Sequence, residues 1–369
     1  MIILKTVGII TFHGAHNYGS VLQAYALQKT INKIGHKCEI INFRTERQKD
    51  QYRPLTKRKG VKYVLKNGYF LFNYVSRKKK YDSFENFINK ELLKSDAEFC
   101  SQNELRDKCP QYDYYISGSD QIWNTEPNDA DDSYFLPFVS SGKRIAYAPS
   151  FGQLGDIKRK KILKEYLDKY DVLSVREEYG QKIIYELIGK QVPVMPDPTL
   201  LVEKEIWSDF SSQRLINYDY IFFYTLFATP EMIKIVKRIS KRLNLPVVIS
   251  NVSNQYEIFS GFKKIKSAGP REFLSLIYHA KFICTSSFHG TAFSIIFEKP
   301  FFSINGLKDN RINTLLKNCK LEKQSVSLYN LSYALEHFAN PSFDGCVERI
   351  GNMKKTGVNF LKCALELDV

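Results

Sequence analysis

Thr6-Val7-Gly8-Ile9-Ile10-Thr11-Phe12 is an apolar, β-branched run of strand length near the start of the chain, and its continuation as far as Phe43 decides the fold. From 20 to 34, Val21, Leu22, Tyr25, Ala26, Leu27, Ile31 and Ile34 recur at helical spacing up to Gly35, and Cys38 to Phe43 reads as a second strand. Strand, helix and strand in succession predict a parallel sheet with its working loops at the strand C-termini. After an interruption the alternation resumes with strands over 114–117 and 145–149, a helix over 156–169, a strand over 172–175, a helix from Glu177 and a strand over 192–195. Pro196-Asp197-Pro198 closes this half. A second alternation places strands over 220–224, 247–250, 282–285 and 301–304, with helices near 230–242, over 270–279 and from Gly290. The prediction is an α/β protein of two doubly wound, Rossmann-like domains facing each other across a linker near 202–217. The first domain spans 1–201 and carries an insertion over 44–95; the second spans 202–330. Closing helices over 331–337 and 347–367, within 331–369, are expected to pack back toward the first domain. A cleft between two such domains favours an enzyme over a scaffold, although fold alone names no chemistry.

Length and composition agree with this division. The chain has 369 residues, 44% apolar and 25% charged, which excludes a disordered or fibrous protein and favours two domains. No apolar run approaches the ~20 residues of a membrane-spanning helix, and the first residues do not read as a secretory signal, so a cytoplasmic location is expected. Seven scattered cysteines without a C-x-x-C pair read as reduced, mostly buried thiols, and no metal site is expected. The formal charge of +15 is concentrated: thirteen Lys or Arg against Glu46 and Asp50 put +11 between Arg44 and Lys80. The same segment holds Phe43 at its edge, Tyr52, Tyr63 and the run Tyr69-Phe70-Leu71-Phe72-Asn73-Tyr74-Val75, followed by Arg77-Lys78-Lys79-Lys80. Rings and cations together suit an anionic bilayer surface, where each cation adds up to ~1 kcal/mol. A solvated basic helix packing its rings on the domain is the alternative. Nucleic acid is the weakest partner, because the charge is local and no binding motif accompanies it.

Five motifs carry possible chemistry. His13-Gly14-Ala15-His16-Asn17-Tyr18-Gly19-Ser20 joins the first strand to the first helix, where amides attract anions and sugar hydroxyls; it lacks the G-x-G-x-x-G order, and a tight turn capped by Ser20 is the alternative. Ser117-Gly118-Ser119-Asp120-Gln121-Ile122-Trp123-Asn124 gathers hydroxyls, a carboxylate, amides and an indole, the chemistry of sugar binding. Asp120 can accept a hydroxyl proton, Gln121 and Asn124 can fix neighbouring hydroxyls and Trp123 can stack on a pyranose; otherwise Asp120 is a turn and helix cap. Arg176 delivers a guanidinium to the sheet edge, suited to carboxylate or phosphate, or to an ion pair with Glu177 or Glu178. Thr285-Ser286-Ser287-Phe288-His289-Gly290-Thr291 sets three hydroxyls and a histidine at a helix N-terminus, a plausible phosphate site with His289 as an acid. Arg311, opening another helix, can complete that pocket or form a terminal salt bridge.

Residues 8–12 through 17–20, with Gly118-Ser119-Asp120-Gln121-Ile122-Trp123-Asn124, Tyr147-Ala148-Pro149-Ser150-Phe151-Gly152, Ser174-Val175-Arg176 and Ser287-Phe288-His289-Gly290, resemble the polysaccharide pyruvyl transferase family from residue 7 to about 318. The resemblance implies a GT-B-like pair of domains and transfer of the enolpyruvyl group of phosphoenolpyruvate to a sugar, usually as a ketal. Phosphoenolpyruvate is then a co-substrate, and neither metal nor cofactor is implied. The acceptor would be a surface-glycan unit, typically linked to a polyprenyl diphosphate, and residues 44–80 would dock the enzyme at the inner leaflet. His289 matches the family's general acid and Arg176 a donor-binding arginine, joined by Ser286, Ser287, Phe288, Gly290 and Arg311. His16, Asn17, Tyr18, Gly19, Ser119, Asp120, Gln121, Trp123 and Asn124 form the expected acceptor group, with Asp120 also catalytic. One departure is plain: many members have Arg-Leu-His where this chain has Ser287-Phe288-His289. The rival activities are a glycosyltransferase using a nucleotide sugar and a non-catalytic glycan-binding protein.

Overall fold

The computed structural model describes residues 5–58, 60–61, 67–68, 70–124, 130–152, 160–211, 213–250, 255–258, 260–336 and 343–366. Tyr63, Tyr69, the start of the helix expected over 156–169, His337 and Leu367 lie outside them. The chain groups into two compact units. One comprises Met1–Tyr74, Phe84–Val202 and Asn352–Val369, the other Val75–Ser83 and Glu203–Gly351.

The first unit is built on a five-stranded parallel sheet in the order β2-β1-β3-β4-β5, with β1 Thr6–Ile10, β2 Lys37–Ile40, β3 Tyr114–Asp120, β4 Lys143–Pro149 and β5 Val172–Leu173. The helix Tyr18–Lys33 returns the chain from β1 to β2 and is buried over most of its length, consistent with a sheet covered on both faces. Ile10, Phe12, Phe43, Tyr115 and Trp123 belong to its core. The segment over 192–195 is not a sheet strand. It makes one bridge, Val175 to Val194, with Val175 donating to Pro193 and Met195 to Val175; Pro193 has no N–H to extend the ladder. The basic excursion is partly helical, with helices Glu46–Tyr52 and Tyr74–Glu91.

The second unit holds a six-stranded parallel sheet in the order β11-β10-β9-β6-β7-β8. Its strands are β6 Ile221–Tyr224, β7 Val247–Ile249, β8 Lys263–Lys264, β9 Phe282–Thr285, β10 Phe301–Ile304 and β11 Ser325–Val326. Thr229 caps the helix Pro230–Leu243 by accepting from the Met232 amide, proline fills the first helical position, and Asn244 in the left-handed region ends it. Ile235, Val236 and Ile239 of this helix are buried on the sheet. The last helix, Asp344–Glu366, runs through the boundary between the two groupings, and in the first unit Phe360 lies 6.0 Å from Tyr147, ring to ring. All seven cysteines are free thiols, and among the described residues no helix is long and apolar enough to cross a membrane.

Candidate functional site

Strand order decides where a doubly wound sheet binds: at the C-terminal edge where successive connections change direction. In the first sheet that point lies between β1 and β3, since the chain leaves β1 toward β2 and returns on its other side. The loops after β1 and β3 are the first two of the sequence motifs, and the structure joins them. Ser20 Oγ donates to Asp120 Oδ2 at 2.5 Å, Thr11 Oγ1 donates to the Ser119 carbonyl at 3.1 Å, and Gln23 links Thr11 Oγ1 (2.8 Å) to the Ser119 amide (3.1 Å). Gln23 had no motif to announce it; its place on the helix face above both loops gives it the role. Asp120 has φ +77°, a conformation that costs a non-glycine residue about 1–3 kcal/mol and is held here by Ser20 and by the Gln121 amide at 2.8 Å. Asn17, not Ser20, caps the helix, accepting from the Gly19 amide at 3.0 Å. Tyr18 is buried and stacks on Phe84, and Ser119 is spent on the Ala148 carbonyl at 2.6 Å. His16, Asn17, Gln121 and Asn124 remain partly accessible, the Asn124 amide donating to Gln121 Oε1 at 3.3 Å.

Trp123 corrects its sequence reading. It is 0% exposed, stacked on Phe135 at 5.4 Å with its indole N–H donating to Ser117 Oγ at 3.2 Å, and so offers no face to a sugar. Burial of an amphipathic ring whose one polar atom finds a partner is the lower-energy use of an indole next to a core strand.

The loop after β1 is fixed from below by buried charge. Gly14 lets Arg44 pass: a Cβ there would lie 2.5 Å from Arg44 Nε. Arg44 donates to both oxygens of Glu85 at 3.0 and 3.1 Å, and His16 meets the same carboxylate at 2.8 Å between the rings of Tyr52 and Phe84. Burial alone would raise Glu85, but the His16 hydrogen bond and the Arg44 charge outweigh it and bring its pKa to about 2. His13, completely buried against Asn42, is lowered to about 3 by burial and by Arg44. Both folded values lie below the ordinary ones, so both groups stabilise the fold above those ordinary values and lose that contribution as pH falls, His13 between 6.5 and about 3, Glu85 between 4.5 and about 2. Thermal melting should therefore drop steadily from pH 7 to 4, and His13→Asn should flatten the slope. An unchanged melting temperature over that range would contradict the buried neutral histidine.

Arg176 is placed at the edge expected of it but faces inward. Its side chain is 1% exposed, with Nη1 2.8 Å from Asp197, Nη2 3.6 Å from Asp120 and Nε 4.0 Å from Glu177. Each carboxylate also accepts from a hydroxyl: Asp120 from Ser20, Glu177 from Ser150 at 2.8 Å and Asp197 from Thr199 at 2.8 Å. The guanidinium thus organises three buried carboxylates, one of them the candidate catalytic Asp120. Glu178, expected as a possible partner, is exposed. Asp197 was legible only as part of a turn, Pro196-Asp197-Pro198, although an Asp before a proline is also a helix-cap signal, and it does cap the short turn Pro198–Leu200.

In the second sheet the change of direction falls between β6 and β9. The loop after β9 is the Ser286–Gly290 motif, and Ser286 Oγ meets Thr225 Oγ1 of the loop after β6 at 2.7 Å. The helix begins at Phe288, with Ser287 as N-cap, two residues earlier than the sequence placed it. Gly290 allows that start: a Cβ would lie 2.2 Å from Thr285 Oγ1. His289 stands in the first turn, 6% exposed, with the Phe288 ring edge-on at 5.1 Å. Arg311 arrives at the same place, its guanidinium 6.0 Å from the Phe288 ring centre and held in a fork by Asp309 at 3.0 and 2.6 Å. Burial would raise Asp309, but the Arg311 charge and hydrogen bonds hold it below the usual carboxylate range. Ser286, Ser287, Phe288, His289, Gly290 and Arg311 are thus brought together in one unit, whereas Arg176 belongs to the other. Among the described residues no group of three or more His, Cys, Asp or Glu is arranged to hold a metal ion.

Two parallel, doubly wound sheets with polar loops at each change of direction define a protein of two Rossmann-like units, the GT-B-like class that the family resemblance implies. Solved structures share this fold. The chain is similar to UDP-N-acetylglucosamine 2-epimerase from Rickettsia bellii (TM-score 0.52, 10% identity, 98% of this chain and 96% of that one). It is similar also to the S. aureus MnaA–UDP co-structure (0.54, 11%, 99% and 98%) and to UDP-GlcNAc 2-epimerase of Methanocaldococcus jannaschii with UDP-GlcNAc and UDP (0.52, 12%, 98% and 99%). No curated protein matches by sequence. The family described as polysaccharide pyruvyl transferase matches residues 17–306, so the chain belongs to that family and is a transferase in polysaccharide biosynthesis.

Proposed function

We propose that this protein transfers the enolpyruvyl group of phosphoenolpyruvate to a sugar of a lipid-linked surface-glycan precursor and closes it to a pyruvate ketal. The observation that carries the reading is His289, in the first turn of a helix at the second sheet's change of direction, among Ser286, Ser287 and Arg311 and within the family match. In this reaction a proton adds to the methylene carbon of the donor, leaving an oxocarbenium-like centre at the carbon that bears the carboxylate. A sugar hydroxyl attacks that carbon and loses its proton, phosphate departs with the C–O bond that held it, and a second hydroxyl closes the ring, its proton leaving with the phosphate. His289 supplies the first proton; the amides of the helix start, the two serines and Arg311 hold the donor's negative charge. Asp120, kept in place by Ser20, receives a hydroxyl proton. Neither a metal nor a further cofactor enters this proposal.

Calorimetry with phosphoenolpyruvate, and with UDP- and GDP-sugars beside it, tests the donor. At a hundredfold excess over the dissociation constant, binding to the native state alone adds ~2.7 kcal/mol of stability, so saturable binding should be accompanied by a clear rise in melting temperature. Binding of a nucleotide sugar in preference to phosphoenolpyruvate would make the protein a glycosyltransferase instead.

The proposal includes a membrane-facing segment. Leu71, Phe72 and Val75 are 62%, 89% and 79% exposed immediately before Arg77-Lys78-Lys79-Lys80, whereas Arg44 and Tyr52 at the other end pack on the first unit. Large apolar side chains left in water beside a cluster of cations suit the surface of an anionic bilayer, which would bring a cytoplasmic enzyme to a lipid-linked acceptor at its inner leaflet. Flotation with anionic vesicles should carry the protein upward, neutral vesicles much less, and neutralising 77–80 should abolish the difference. Flotation unchanged by that substitution would remove the segment from the reading.

A further inference from the structure

The helix Pro230–Leu243 carries five cations against one acid, Glu231, and its exposed face is lined up along a groove of about 640 Å³. Ile233, Lys234, Lys237, Arg238 and Lys241 fall at helical spacing along one side, and Tyr256, a residue 41% exposed, also lines the groove. From Pro230 to Lys241 the groove runs for about 16 Å along the helix, and from Lys234 onward each turn presents a cation. Among the described residues, Lys234, Lys237 and Lys241 are in no ion pair, and Arg238 donates to a neutral partner, Ser332 Oγ, at 2.9 Å. The one carboxylate on the segment of Tyr256, Glu257, is completely buried and accepts from the Ala228 amide at 3.1 Å. Like charges on consecutive turns of one helix repel weakly, and an anionic chain lying along them removes that repulsion.

The start of the groove adds a direction. Pro230 directly follows the loop after β6, whose Thr225 touches Ser286 of the candidate donor loop, so the groove leads away from the place where the chemistry is proposed. We infer that this groove is a binding site for an acid-bearing oligosaccharide, its carboxylates on Lys234, Lys237, Arg238 and Lys241 and a sugar face on Tyr256. An apolar floor with an exposed ring suits the carbon face of a pyranose, and cations on successive turns suit a chain with repeated acid groups better than a single phosphate. The inference rests on the proposed sugar acceptor: the site would grip acceptor residues remote from the hydroxyls that react.

Calorimetry of the full chain with a galacturonate hexasaccharide, and with neutral maltohexaose as comparator, tests it. The acidic hexasaccharide should bind, more weakly as salt rises, and maltohexaose should not. Lys234→Glu/Lys237→Glu/Lys241→Glu should weaken binding at least about tenfold, while the corresponding triple arginine variant keeps it. Equal affinity in the glutamate variant, no binding to the wild type, or a single-stranded oligonucleotide of the same charge binding as tightly would each overturn the assignment. Phosphoenolpyruvate titrated into the same proteins separates the two readings. Retained donor binding in the glutamate variant supports a groove distinct from the donor site. Lysine-dependent oligosaccharide binding without any donor binding sustains the groove and removes the donor.

Discussion

Arg176→Ala is expected to lower the unfolding free energy by about 3–5 kcal/mol, because it takes from the buried carboxylates of Asp120, Glu177 and Asp197 the guanidinium that they share. The loss has little to do with the strength of any one ion pair. A buried pair only roughly offsets the desolvation of its members, but a buried carboxylate deprived of its cation retains the whole desolvation cost. The hydroxyls of Ser20, Ser150 and Thr199 stay in place and soften the loss without replacing the charge. A urea titration at pH 7 measures the loss. Arg176→Lys should recover part of the stability, since a point charge remains but the fork that reaches three carboxylates does not. A donor-binding role alone predicts the opposite pattern: unchanged unfolding in Arg176→Ala and a raised KM for phosphoenolpyruvate. Unchanged stability at pH 7 would therefore return Arg176 to the donor site.

The sequence made the parallel architecture legible because each long strand is an apolar run and each connecting helix shows its period. It could not show strand order. β1 and β3 are neighbours although more than a hundred residues separate them, and only that pairing turns two polar loops into one arrangement in which Ser20 reaches Asp120. The two-residue strands β8 and β11 escaped notice because Lys263-Lys264 and Ser325-Val326 have no apolar run to signal them; their backbones, not their side chains, join the sheet. The helix Tyr74–Glu91 runs well past the segment 44–80 for which a basic helix is the alternative reading, because its buried stripe, Phe84, Phe87 and Ile88, lies beyond Lys78, Lys79 and Lys80. Trp123 and Arg176 share a different cause. Each is a residue type used at binding sites, and each is used here inside the protein, Trp123 among aromatic rings and Arg176 between its neighbour Glu177 and two acids, Asp120 and Asp197, that only the fold brings near. Residue type and motif indicate what a side chain can do; burial decides whether a ligand can reach it.

His289→Ala is expected to lower turnover by about 100-fold or more, the usual contribution of a positioned general acid. His289 suits that task because the fold fixes it closely: the ring is 6% exposed, in the first turn of a helix whose approach to β9 depends on Gly290, with Phe288 edge-on beside it. An acid that protonates carbon must be aimed, since carbon offers no lone pair to draw the proton in, and such packing supplies the aim. The kinetic signature separates acid from ligand. Loss of the proton donor should reduce kcat with the KM for phosphoenolpyruvate little changed, whereas loss of a donor contact should raise KM. Because truncation of a buried ring also costs packing, His289→Gln is the companion variant: it keeps most of the volume and a hydrogen-bonding end but cannot act as an acid. Both variants should still bind phosphoenolpyruvate by calorimetry while releasing phosphate far more slowly in the presence of acceptor. Near-normal phosphate release from His289→Gln would take the histidine out of the mechanism and leave the hydroxyls and Arg311 as a binding site in search of another acid.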